Sequence, residues 1–275
     1  MISQRVGVEA LLAMGLGMVL GLLVPILLTI WWCVKKKENF TTVLIGGAVF
    51  LVFVFVLEKP LQNALIFGDH PVADFINARP VLWAFLVGLF PGVFEETGRF
   101  IAFKTVLKKR RNKRTSISYG IGHGGIEVML LFGLTLMTYF TYGIMMDTGN
   151  MEVVIEQVAT QAPDQLNALQ QMMDVISGYT FIDLGWALCE RIFAFLFHVG
   201  ASILVFYAAR ERRKFWMYPT AIALHTALDF VAGLSMKVIE MPMAVLELIV
   251  AVFALFTFCG AYVFYKTDKT IFITD

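Results

Sequence analysis

The sequence predicts an all-α, polytopic membrane protein, and three observations carry that prediction. Of 275 residues, 59% are hydrophobic and only 16% charged, with a mean hydropathy of +0.75. A soluble domain carries roughly a quarter charged residues. Several apolar runs reach the ~20 residues that a helix needs to cross a hydrocarbon core. The cations gather between those runs in short blocks. The net charge of +1 points to no acidic partner by itself.

Seven transmembrane helices are expected, near 8–34, 41–57, 80–107, 117–145, 181–209, 215–236 and 243–265. The first does not read as a signal peptide. Arg5 and Glu9 nearly cancel ahead of it, Lys35, Lys36 and Lys37 follow it, and no small-residue cleavage site precedes the lysines. It is expected to stay as a helix. Basic blocks recur after the third span (Lys108, Lys109, Arg110, Arg111, Lys113, Arg114) and the fifth (Arg210, Arg212, Arg213, Lys214). The connection from Asp147 to Thr180 has no cation against Asp147, Glu152, Glu156, Asp164 and Asp174. Lysine and arginine bias sets orientation, so the basic loops are expected in the cytoplasm, the amino terminus outside and the carboxyl terminus inside. Those loops read as topology signals with anionic-lipid attraction, and a nucleic-acid partner is not expected.

In the external connection, 146–180, Leu166, Leu169, Met173 and Ile176 recur at helical spacing, and Pro163 separates them from a stretch near 151–158. Two short amphipathic helices over the external face are expected there, or a solvated linker of helical tendency. No repeat or second domain is visible, so residues 1–275 read as a single integral membrane domain with its core in 80–236. Cys33, Cys189 and Cys259 lie in apolar segments and are expected to pack rather than to pair.

Charges within spans are costly and mark working sites. The third span carries Glu95, Glu96 and Arg99; the fourth, His123 and Glu127; the fifth, Asp183, Glu190, Arg191 and His198; the sixth, His225 and Asp229. The first two spans have almost nothing polar and are expected to face lipid in support. Residues four apart share a helix face, as Glu95 and Arg99, His123 and Glu127, and His225 and Asp229 do. Counted from the basic loops, Glu96, His123, His198 and His225 all lie about 13–18 Å into the bilayer. Four helices thus present reactive groups in one layer. Pro91, flanked by Gly88, Gly92 and Gly98, is expected to open the third helix one turn before Glu95 and admit water.

Other polar groups have plainer readings. Glu190–Arg191 is expected to be a buried ion pair, His70 a solvated loop residue, and Glu247 interfacial. Gly120-x-Gly122-x-x-Gly125 matches the dinucleotide fingerprint by letter only, because no strand precedes it. Those glycines read as helix-packing contacts.

Phe94-Glu95-Glu96-Thr97-Gly98-Arg99, then Tyr119-x-x-x-His123, then His198, then His225-x-x-x-Asp229 resemble the ordered motifs of the glutamic-type intramembrane proteases. That superfamily includes the CAAX prenyl endopeptidases and PrsW. The sequence is most similar to its YhfC family, which shares the block from His123 to Glu127 and Glu190-Arg191 ahead of His198. The resemblance implies an intramembrane endopeptidase of the bacterial cell membrane that acts on membrane proteins or peptides. It departs from the CAAX endopeptidases in the spacing from Glu96 to Arg99, which is PrsW-like, and in Asp229, where they usually have asparagine. Prenyl-protein processing is therefore not expected.

Peptide hydrolysis needs a base for water, a stabiliser for the oxyanion and a proton for the leaving amine. By the resemblance, Glu95 activates water with His123, His225 or His198 stabilises the oxyanion, Asp229 orients an imidazole, and Arg99 fixes the geometry of Glu96. No cofactor is the favoured expectation. The alternative is a zinc site of His123, His198 and His225 with a glutamate as base, since YhfC proteins are also described as metalloproteases. Two non-enzyme readings use the same residues. A proton-coupled transporter would often show inverted repeats, and none are visible. An inactive membrane scaffold would not need every motif residue.

Overall fold

The computed structural model describes residues 5–268. Both chain ends, for which the charge pattern predicts opposite sides of the membrane, lie outside that range. The described residues form helices and no strands. In chain order these are α1 (Val8–Lys36), α2 (Phe40–Phe67), α3 (Pro71–Asn77), α4 (Pro80–Lys104), α5 (Arg114–Asp147), α6 (Met151–Gln161), α7 (Leu166–Gly178), α8 (Phe181–Arg210), α9 (Met217–Lys237) and α10 (Met243–Thr267). Six of them, α1, α2, α4, α5, α8 and α10, are long and apolar enough to cross a membrane. The remaining expected span is α9, a helix of 21 residues. Its His225, Thr226, Asp229, Ser235 and Lys237 make it less apolar than the others. The protein is thus all-α and polytopic, as expected.

The described residues divide into two compact units, 5–25 with 128–191 and 26–127 with 192–268. The first unit is built around Ala10, Met14, Phe132, Leu136, Met146, Met173, Ile176 and Leu184. Both short helices expected in 146–180 form, α6 and α7, separated by a 3₁₀ turn at Pro163–Gln165. The apolar stripe of α7 is spent on this core, with Met173 and Ile176 buried and Leu169 packed at its edge. Thr180 and Asp183 make a reciprocal cap at the start of α8, the Asp183 carboxylate accepting from the Thr180 N–H at 2.9 Å and the Asp183 N–H reaching the Thr180 hydroxyl at 3.3 Å. Asp183 is therefore a helix cap. Glu190 and Arg191 pair with each other, but the Glu190 side chain is 40% exposed, so the pair is not the buried brace expected. Cys189 and Cys259 are exposed rather than packed, and all the cysteines are free.

The second unit holds every candidate site residue. Its central contact is α4 against α9, where glycine removes the side chains that would keep two backbones apart. A Cβ at Gly88 would lie 2.6 Å from the Phe230 amide nitrogen and 2.8 Å from the Thr226 carbonyl. Gly92 faces Ile222 and Thr226 in the same way. Here the sequence expectation fails: α4 runs unbroken through Pro91. Gly88 and Gly92 serve close packing on α9, while Gly98 faces Val49 and Phe53 of α2.

The basic loops gather at one end of this unit. The Arg210 guanidinium donates to the carbonyls of Phe103, Leu107 and Arg110 at 2.8, 2.6 and 2.8 Å. Lys113 reaches the Tyr265 carbonyl at 2.8 Å, and Arg114 the Lys36 carbonyl at 3.3 Å. Carbonyls at helix carboxyl ends lack partners within the helix, and cationic donors meet that need. One smaller expectation is corrected: His70 is the amino-terminal cap of α3, accepting from the Ala73 N–H at 3.2 Å, while its other nitrogen donates to the Ala64 carbonyl at 2.5 Å. Glu247, one turn into α10, is packed within the protein, with 7% of its surface exposed.

The second span departs most from its expected form. Glu58, Lys59 and Pro60 look like a helix end, yet α2 continues to Phe67 by switching twice into π turns, at Leu51–Glu58 and Asn63–Phe67. Thr42, Gly46, Phe50, Val54, Glu58, Gln62 and Ile66 are all buried, a strict spacing of four. In an uninterrupted α-helix such a row precesses by about 40° per step and would swing about 200° from Gly46 to Ile66. The wider π turns cancel that drift and keep the row on one face. This span packs one face against the site helices and leaves its other, apolar face exposed, so it adds a packing role to the supporting one expected.

Candidate active site

Polar side chains cluster on α4, α5, α8 and α9. Gly46 of α2 faces the Tyr119 carbonyl, with the His123 amide 3.1 Å from its would-be Cβ, and Gly122 of α5 faces Val43. Gly120 lets the Val199 backbone of α8 within 2.8 Å of its would-be Cβ. These close approaches seat His123 and His198 side by side, with ring centroids 5.0 Å apart. Phe50, from the buried row of α2, stands edge-on to His123 at 5.0 Å. Across the α4–α9 contact, the Thr97 and Tyr218 hydroxyls meet at 2.7 Å, which sets His225 beside Glu96.

All eight residues singled out from sequence join one network. The Glu95 carboxylate meets His123 Nε2 at 2.8 Å, with Arg99 Nη2 at 3.6 Å and His198 Nδ1 at 3.8 Å. Glu96 Oε1 takes Arg99 Nη1 and, at 2.9 Å, His225 Nδ1. Arg99 Nη2 donates to His198 Nδ1 at 2.6 Å. The opposite nitrogen, His198 Nε2, pairs with Glu127. His225 Nε2 faces Asp229 at 3.5 Å. Glu96, Arg99 and His123 are wholly buried, whereas the Asp229 side chain is 32% exposed, so the cluster opens on the Asp229 side.

This wiring assigns tautomers. Arginine can only donate, so His198 Nδ1 is the acceptor and its Nε2 carries the proton toward Glu127. Both nitrogens of His198 are thereby engaged. His123 spends Nε2 on Glu95, and its buried Nδ1 has no hydrogen-bond partner among the described residues.

Among the described residues, Glu95, His123 and His198 offer ligand atoms within 4.8 Å of one another, all buried. One carboxylate and two imidazoles is a donor set that suits catalytic zinc. The group fits a metal ion by donor type and spacing. It differs from the three-histidine set of the zinc alternative, because the ring nitrogens of His225 face Glu96 and Asp229 instead. Loading this set requires His198 Nδ1 to exchange its contact with Arg99 for the ion.

Sequence reasoning missed Glu58, which is 1% exposed. The signal was present in the row of residues four apart that contains it, obscured by the apparent helix end at Lys59-Pro60.

Comparison with known proteins places the chain in a family. A membrane protein of Bacillus subtilis (strain 168), described as "Uncharacterized membrane protein YhfC", is 28% identical over 255 residues, covering 92% of this chain and 94% of its own. No solved structure matches the fold. Residues 20–250 match the family described as YhfC intramembrane metalloprotease, and the chain belongs to that family.

Proposed function

We propose that this protein is an intramembrane endopeptidase whose hydrolytic water is activated at Glu95. The observation that supports this most is the buried convergence of Glu95, His123 and His198 with the Arg99–Glu96–His225 chain, on helices that span the membrane or pack among those that do. Glu95 Oε2, held by His123 Nε2, takes a proton from water and returns it to the leaving amine. His225 acts as the oxyanion donor in its imidazolium form, with Nδ1–H given to Glu96 and Nε2–H only loosely faced by Asp229, while both nitrogens of His198 are engaged. Arg99 fixes Glu96 and His198 relative to Glu95. The substrate is a membrane protein or peptide in the bilayer. We read the chain as one protease domain, with the basic loops in the cytoplasm.

A second reading is supported by the donor set and by the family's description. Glu95, His123 and His198 hold a divalent ion, which supplies a Lewis acid and a water of lowered pKa when bound. The Arg99–His198 contact belongs to the metal-free form and would be given up when the ion is held. Purified protein and a transmembrane reporter peptide test both. Cleavage is expected, and a metal-replete preparation that cleaves no such peptide would overturn the protease reading. Zinc near one per chain, lost in His123→Ala and His198→Ala but kept in His225→Ala, would establish the ion. Chelator-resistant cleavage without bound metal would establish the metal-free site.

A further inference from the structure

Glu58 is the buried carboxyl that the mechanism does not use. The π turns of α2 keep it on the inward face, in the row that also brings Phe50 against His123. Both of its oxygens are buried without a hydrogen-bond partner. Lys59 Nζ approaches only to 3.6 Å, and its side chain is 47% exposed. Glu58 is close enough to Glu95, His225 and Asp229 to feel their charges. A buried acceptor with no donor is costly, and such a group in a native structure calls for an explanation.

The missing donor has a natural source in the substrate. A helical peptide must be unwound before it can be cut, and the N–H groups this frees have no water to turn to inside a bilayer. We infer that Glu58 is a substrate-binding residue of this site, its carboxyl oxygens accepting hydrogen bonds from N–H groups of the peptide. Those donors are either backbone amides of the unwound segment or a lysine side chain near the cut. The inference rests on the protease reading above.

The test uses two labelled transmembrane peptides of about 20 residues, one neutral and one with a central lysine. Their affinity is measured for the full-length protein in the Glu95→Gln background, with and without Glu58→Met. Methionine fills the volume and removes an acceptor that no protein group satisfies. The variant is therefore expected to keep or raise the unfolding temperature while weakening binding about tenfold. Weakening of both peptides assigns the backbone amides, and weakening of the lysine peptide alone assigns the side chain. Unchanged affinity for both overturns the inference. If Glu58→Met does not fold, Glu58→Gln decides. Loss of the lysine preference or a weaker neutral complex supports the inference, and unchanged binding overturns it. Failure of the protease reading would look different: the protein with Glu95 intact would bind both peptides, Glu58-dependently, and cut neither.

Discussion

Arg99 is the residue whose removal should be felt most widely. Its guanidinium is wholly buried, pairs with Glu96, donates to His198 at 2.6 Å and stands 3.6 Å from the Glu95 carboxylate. At 3.6 Å and an effective dielectric near 20, the Glu95 contact alone is a Coulomb attraction of about 4–5 kcal/mol before desolvation is subtracted. Removing one partner from a buried ion pair leaves the other uncompensated, and Arg99→Ala should cost about 3–5 kcal/mol. Arg99→Lys should recover only part, because one ammonium cannot serve Glu96 and His198 with the planar fork they now share. Most telling is the double variant. With Glu96→Gln in place, Arg99→Ala leaves one fewer unpaired carboxylate, so the two losses should fall short of additive by about 1–3 kcal/mol. Equilibrium unfolding in mixed SDS micelles, followed by helical circular dichroism, measures all four free energies. Additive losses, or an Arg99→Ala protein within about 1 kcal/mol of the parent, would refute the argument that this cation neutralises the carboxylate pair.

Three further outcomes are expected. Glu95→Gln should abolish cleavage while leaving the protein folded and inserted, since it keeps shape and hydrogen bonding but removes the base; full activity would reject that assignment. Gly88→Ala should cost about 1–3 kcal/mol and most of the activity by forcing α9 off α4. By contrast Gly260→Ala, with nothing within 4 Å of the new methyl, should be neutral by the same unfolding assay. For orientation, Arg111 and Gln161 are both exposed. In a background without native cysteines, Gln161→Cys should label with an impermeant maleimide in intact cells, and Arg111→Cys only after permeabilisation. The reverse pattern would invert the topology.

How far the sequence could be read follows from how far each force reaches. Apolar runs, basic blocks and the four-residue spacing of Glu95 with Arg99, His123 with Glu127 and His225 with Asp229 are properties of single helices. Burial in lipid and helical geometry determine them locally, so the helices and the polar residues that cluster between them were legible without a fold. The two amphipathic helices at 151–178 were legible for the same reason, since Pro163 and the apolar stripe of α7 act within a few residues. What passes between helices was not legible. Glycines at Gly88, Gly92, Gly120 and Gly122 set the distances, but only the assembled backbones show which neighbour each one admits. That is why Pro91 was read as an opening, where α4 in fact continues as one helix packed on α9. The π turns of α2 rotate a face by an amount no local pattern announces, and so brought Glu58 inward. The pairing of His225 with Glu96, and of His198 with Arg99 and Glu127, likewise depended on helix rotation and depth together. Tertiary structure alone decided that the group able to hold a metal is Glu95, His123 and His198, because ligand convergence is a matter of ångströms across three helices, and sequence spacing measures only position along one.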